Sequence, residues 1–209
     1  MDYSKYKTDK VRNHSYMPVY ERIFAHLKNK KVSLLEIGVF TGGCLCLWRD
    51  FFKKGSDVEG VDIHCASLAK ADLGDIVVHD VDVMKWDTQK AYDVIIDDAS
   101  HDAGEQAATF MKLWKNISSR GAYVIEDVNR RFYDENMRGG IDDHGILDFC
   151  DQNQIDMEVH WGEEPYQSSG SGDTMFIFRH KRKTPLTIFQ KIVNMFRPRK
   201  NKGNNIYEN

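Results

Sequence analysis

The sequence predicts an α/β fold built on a doubly wound, mostly parallel sheet of seven strands with an antiparallel hairpin at one edge. Three observations carry that expectation. Apolar runs of strand length alternate with stretches of helical periodicity, the first run ends in a glycine-rich turn, and the last two runs have no helix between them. Alternating β and α segments imply parallel strands joined by right-handed crossovers. Two neighbouring strands without a helix imply antiparallel pairing.

Residues 16–29 read as a helix with Tyr20, Ile23, Phe24 and Leu27 on one face. Val32 to Gly38 is a buried strand ending in glycine, and Gly42 and Gly43 lead into a helix carrying Leu45, Leu47, Trp48, Phe51 and Phe52. Further strands are expected at Val58–Ile63, Ile76–His79, Tyr92–Asp98 and Ala122–Asp127, with a helix over Ala107–Asn116 before the last of these. Gln154–Trp161 and Thr174–His180 complete the set as the edge hairpin, and the whole is a Rossmann-like arrangement.

At 209 residues one domain is expected, and 41% hydrophobic with 29% charged residues is ordinary for a globular chain. No apolar run reaches membrane-spanning length, and Met1 to Tyr6 lacks the basic start and apolar stretch of a signal peptide. The four cysteines, Cys44, Cys46, Cys65 and Cys150, form neither a CxxC pair nor a Cys/His zinc pattern, so reduced thiols and a cytoplasmic location are expected. The net charge of −3 divides unevenly: from Arg179 onward it is +8, leaving −11 on the rest. This sets a domain at 1–180 apart from a basic tail at 181–209. An acidic body argues against nucleic acid as partner, because phosphate contacts dominate that affinity.

In an open parallel sheet, ligands bind beyond the carboxyl ends of the strands. The first strand ends in Glu36-Ile37-Gly38-Val39-Phe40-Thr41-Gly42-Gly43, where glycines allow a sharp turn and close approach to a ligand. The pattern is not GxGxxG, so no pyrophosphate cradle is indicated. A carboxylate at Glu36 would repel pyrophosphate but suits the cationic amino-acid end of S-adenosylmethionine (SAM). Asp62 ends the second strand, 24 positions after Gly38, where an acid can accept both ribose hydroxyls. Asp80 and Asp82, after the third strand, are placed to accept from an adenine amino group or a nearby amide. A plain glycine turn with a solvated Asp62 is the competing reading.

Strand four ends in Asp97-Asp98-Ala99-Ser100-His101 and strand five in Glu126-Asp127. Their carboxyl ends should adjoin, bringing Asp98, Glu126 and Asp127 to one point, where three carboxylates need protons or a cation. Hard oxygen donors without cysteine point to Mg²⁺, with Mn²⁺ or Ca²⁺ as alternatives. His101 is a candidate general base. Helix capping by Asp97, Asp98 or Ser100 would explain one acid at each strand end, not all three.

The runs from Leu35 to Gly43, Trp48 to Phe52, Ile95 to His101 and Tyr123 to Asp127, with Thr8-Asp9-Lys10 and His14-Ser15-Tyr16, resemble the metal-dependent sugar O-methyltransferases. These act on deoxysugars of macrolides and related products, and the cephalosporin hydroxylase-like proteins are similar. The resemblance spans roughly residues 8 to 180. It implies a class I SAM-dependent methyltransferase in which Asp98, Glu126 and Asp127 bind Mg²⁺ and His101 is the base. It also implies that Glu36, Gly38, Asp62 and Asp80 contact SAM, with Gly42 shaping the same turn. Ala99 stands where the family usually has glycine, and the long N-terminal region of the macrolide enzymes has no counterpart here.

The expected chemistry is Mg²⁺-assisted deprotonation of a sugar hydroxyl, with His101 taking the proton and the alkoxide attacking the SAM methyl. A catechol-like acceptor, or a non-catalytic SAM-fold component of a biosynthetic complex, are the alternatives. The loops at Asn129–Ile141 and Trp161–Asp173 are candidate lids. In the tail, Leu186, Phe189, Ile192, Val193 and Phe196 recur at helical spacing amid basic residues. That suits peripheral contact with the inner face of a membrane, docking on the domain, or homo-oligomer formation.

Overall fold

A computed structural model describes residues 2–12, 14, 16–65, 68, 73–128, 144–161 and 174–181. The lid candidates at 129–141 and 162–173 and the tail beyond Lys181 lie outside the described residues.

Seven strands form one sheet in the order β3-β2-β1-β4-β5-β7-β6. They are β1 (Ser33–Ile37), β2 (Asp57–Asp62), β3 (Val77–Asp80), β4 (Tyr92–Asp97), β5 (Ile117–Ile125), β6 (Ile155–Trp161) and β7 (Thr174–His180). β1 to β5 run parallel; β7 pairs antiparallel with both β5 and β6, so it sits inside the sheet and β6 is the edge. The expected α/β sheet with an antiparallel edge pair is therefore the observed one.

The helices are α1 (Asp9–Arg12), α2 (Tyr16–Ile23), α3 (Gly43–Phe51), α4 (Ala103–Leu113) and α5 (Ile146–Gln152). Alternate strand residues point to opposite faces, and both faces are buried. Leu34, Val94, Ile96 and Val124 meet α2 and α3, where Tyr20, Phe24, Trp48 and Phe52 interlock. Leu35, Ile95, Tyr123 and Ile125 meet α4 and α5, where Phe110 packs 4.2 Å from Phe178 and 5.6 Å from Phe149.

The expected helix over 16–29 stops at Ile23. Beyond it the chain turns tightly, with the Leu27 amide bonding the Phe24 carbonyl three residues back, while Phe24 and Leu27 stay buried. β5 begins at Ile117, earlier than expected, because Tyr92 pairs with Ile117 before the register shifts. Gly121 makes that irregularity possible: a Cβ there would lie 2.8 Å from the Asp93 carbonyl oxygen. α4 also begins earlier than expected, at Ala103, and α5 was not foreseen. All four cysteines are free thiols, and no helix among the described residues is long and apolar enough to cross a membrane.

Candidate active site

Backbone bonds continue the ladders one residue past the strand ends and thereby align the site. The Gly38 amide donates to the Val61 carbonyl, Asp98 to Ile37 and Glu126 to Asp97, each at 2.9 Å. Asp98 and Glu126 thus emerge side by side at the carboxyl edge. Gly38 has φ +83°, and a Cβ there would lie 2.2 Å from the Asp98 carbonyl oxygen, so the two segments approach as closely as they do only because residue 38 has no side chain.

A cavity of about 820 Å³ opens at this edge. That is within the roughly 300–1,000 Å³ of sites that bury small ligands. Gly38, Asp62, Asp82, Asp98 and Gln106 line it, with Phe40 and Met84 among its apolar neighbours. Asp62 accepts from the Val39 amide at 2.7 Å, the Phe40 amide at 3.0 Å and the His64 amide at 2.8 Å. Burial opposes its charge, but these backbone donors prevail and hold its pKa below the usual carboxylate value. The glycine turn and the end of β2 are therefore tied together through one carboxylate.

Other residues expected at the cofactor stand elsewhere. Glu36 is wholly buried and does not line the cavity; its Oε1 accepts from the Trp48 indole at 3.1 Å, and its Oε2 has no hydrogen-bond partner. Burial pushes its pKa up to about 7, against the pull of Lys10. Gly42, at φ +80°, caps α3. Asp80 is exposed on β3, while Asp82, two residues on, lines the cavity.

At the chemical end the sequence reading missed Lys10, which it quoted only as part of the N-terminal segment. Its side chain is fully buried, and its Nζ donates to Asp98 at 2.6 Å and Glu126 at 2.9 Å, with Glu36 at 3.8 Å. Burial works against the ammonium, but the surrounding carboxylates outweigh it and hold the Lys10 pKa well above its ordinary value. One ammonium cannot neutralise both partners, and burial raises the pKa of Asp98 and Glu126. The segment is brought in close at Gly43, where a Cβ would lie 2.0 Å from the Lys7 carbonyl oxygen. Tyr20 donates to the other oxygen of Glu126 and Tyr16 to Asp127, with His14 stacked on Tyr16 and 3.9 Å from Asp127.

Asp98 and Glu126 thus meet on Lys10, whereas Asp127, at φ +51°, turns to Tyr16. Among the described residues, no three His, Cys, Asp or Glu side chains form a ready-made metal-holding group. The donor set still suits a hard cation. A cation, the Lys10 ammonium, already stands where two of the carboxylates converge. Asp98 and Asp127 keep 16% and 14% of their side chains exposed. His101 is exposed on the loop after Asp98, next to the cavity-lining Ser100. The N-cap of α4 is Asp102, which accepts from the Gly104 and Glu105 amides, so Asp98 is not spent on capping.

No family model matches the chain. It is similar to demethylmacrocin O-methyltransferase of Streptomyces fradiae, 33% identical over 138 residues that cover 60% of this chain and 35% of that protein. It is also similar to a tetracenomycin 3'-O-methyltransferase of Streptomyces olivaceus that acts on a 2-methoxy-rhamnosyl compound, 32% identical over 131 residues, 55% of this chain and 32% of that one. The chain spans about a third of the length of these curated relatives. Among solved structures, the MycE methyltransferase in complex with Mg, S-adenosylhomocysteine (SAH) and mycinamycin VI superposes with a TM-score of 0.62 at 24% identity, over 88% of this chain and 55% of that one. An O-methyltransferase from Bacillus cereus in complex with SAH gives 0.55 at 17% identity, over 81% and 84%. The fold is that of the class I SAM-dependent methyltransferases. The curated proteins that the chain resembles are deoxysugar O-methyltransferases.

Proposed function

We propose that this protein is a SAM-dependent O-methyltransferase that methylates a sugar hydroxyl of a glycosylated small molecule with the help of Mg²⁺. The carrying observation is the juxtaposition, at one sheet edge, of a ligand-sized cavity bordered by Asp62 with the carboxylates of Asp98, Glu126 and Asp127. Relatives that act on rhamnosyl and macrolide sugars support the acceptor class.

When bound, SAM supplies an electrophilic methyl group and the cation supplies Lewis acidity toward an acceptor hydroxyl. Asp62, fixed by three backbone amides, offers its remaining lone pairs to ribose hydroxyls. Asp98, Glu126 and Asp127 would hold the cation. Tyr16 and Tyr20 orient Asp127 and Glu126, and Lys10 keeps Asp98 and Glu126 from repelling each other apart. His101, beside Ser100 at the cavity's edge, takes the acceptor proton; hydrogen bonds of this kind commonly tighten only once substrate is bound.

Calorimetry with SAH tests the cofactor half: binding should be measurable, and Asp62→Ala should weaken it more than tenfold, about 1.4 kcal/mol. Equal affinity in the variant removes Asp62 from the site.

A further inference from the structure

The cofactor cavity has one wall that neither strand end explains. Val81, Asp82 and Met84 belong to the loop after β3, and they line the cavity together with Gln106 and Thr109 of α4. Within the loop the Met84 amide bonds the Asp82 carboxylate at 2.8 Å, and the Lys85 and Trp86 amides both bond the Asp82 carbonyl, at 2.8 and 2.9 Å. The loop is therefore a single tight turn with its N–H groups drawn toward Asp82, which leaves its carbonyls to be satisfied from outside, as at the end of a helix.

Lys112, in the last turn of α4, satisfies them. Its Nζ donates to the carbonyl oxygens of Val83 at 2.8 Å, Met84 at 2.8 Å and Trp86 at 2.6 Å. An ammonium has three N–H donors and no acceptor, so the whole donor capacity of Lys112 is spent on this one turn. One helical turn earlier on α4, the Thr109 hydroxyl lies 3.9 Å from the Met84 sulfur. The loop is thus pinned to the helix that forms the adjoining wall of the cavity.

We propose that Lys112 is a positioning residue for the cofactor, fixing the 81–86 turn against α4 so that Asp82 and Met84 frame the nucleoside end of the cavity. The proposal rests on the SAM reading above. Lys112 does not line the cavity and acts through the turn. Without its ammonium, three carbonyls lose their donor, and the turn is free to move outward from α4.

The test compares wild type, Lys112→Met, Lys112→Gln and Lys112→Arg by calorimetry with SAH, adenosine and Mn²⁺, together with hydrogen exchange of the unliganded proteins. Lys112→Met should weaken SAH and adenosine alike by at least tenfold, leave Mn²⁺ affinity within twofold of wild type, and speed exchange selectively across 81–86. Lys112→Arg should recover most of the affinity, and Lys112→Gln, with two N–H donors, should fall between. If Lys112→Met does not fold, the graded loss from arginine to glutamine carries the test. SAH affinity within twofold of wild type in the folded methionine variant, or in the glutamine variant where methionine does not fold, overturns the proposal, as does equal loss of SAH and Mn²⁺ binding. A wild type that binds no SAH defeats the SAM reading instead, and unchanged exchange at 81–86 then also removes Lys112 as the clamp of that turn.

Discussion

Replacing Lys10 by methionine keeps the stem and removes the charge. The side chain is fully buried, Glu126 is 1% exposed and Asp98 16%. Deleting one partner of a buried ion pair costs about 3–5 kcal/mol, because the charge left behind has neither water nor counter-ion. For a domain of this size each kcal/mol lowers the melting temperature by about 2–4 °C, so a fall of about 6–20 °C is expected at pH 8 in EDTA. The loss should shrink at pH 5, because Asp98 and Glu126, already pushed up by burial, can then take up protons and cease to need the ammonium. If the same carboxylates hold a divalent cation, 10 mM Mg²⁺ should raise the melting temperature of Lys10→Met more than that of wild type, since binding to the native state stabilises it by mass action. Calorimetric melts at the two pH values, with and without Mg²⁺, read all of this. A Lys10→Met protein melting within 2 °C of wild type at pH 8 would refute the view that Lys10 is the buried counter-ion of Asp98 and Glu126.

Other outcomes follow from the same geometry. Burial pushes both Glu36 and Asp97 up to about 7, well above their ordinary values. Their contribution to stability is therefore complete below about pH 4 and lost as the pH rises through about 7; Asp97→Asn should flatten urea-unfolding stability over that window, and an unchanged slope counts against the buried neutral carboxyl. Gly38→Ala meets both a positive φ and a 2.2 Å approach to the Asp98 carbonyl, so SAH binding should drop at least tenfold with a lower melting temperature, and a wild-type affinity contradicts the close approach. Flotation with anionic liposomes decides the role of the basic 181–209 segment: co-flotation at low salt that weakens with added salt and is lost on truncation after His180 assigns it to a membrane surface, and none at low salt leaves docking or oligomer formation.

Much of this was legible in the chain. The alternation of strands with helices, the antiparallel edge and the placing of Asp98 beside Glu126 at adjoining strand ends follow from the order of the apolar runs and from parallel register, whereas Asp127, expected at the same point, turns instead to Tyr16. Gly38 was readable as a turn that requires glycine, but the close approach it permits is to the Asp98 carbonyl rather than to a ligand. What escaped was long-range or too short to show periodicity. Lys10 meets Asp98 and Glu126 across sequence separations of 88 and 116, and nothing local in Thr8-Asp9-Lys10 signals a buried charge. Glu36 was read as reaching the ligand because it precedes the glycine, but the pleat turns it inward onto Trp48. Asp80 and Asp82 were read together as candidate acceptors, and only the turn after β3, closed by Lys112, separates the exposed one from the one at the cavity. α5 spans seven residues, with Ile146 and Cys150 its only buried pair, too little pattern to stand out from a loop.

The proposed reaction is methyl transfer from SAM to a sugar hydroxyl at the Asp98–Glu126–Asp127 edge. The direct measurement is transfer of a labelled SAM methyl group to a panel of rhamnosyl and other deoxysugar glycosides, run in Mg²⁺ and in EDTA. Label should appear on a sugar oxygen in Mg²⁺, vanish in EDTA, return on adding Mg²⁺, and stay absent in Asp98→Asn. Transfer that proceeds at full rate in EDTA, or survives in Asp98→Asn, contradicts metal-assisted transfer at this edge.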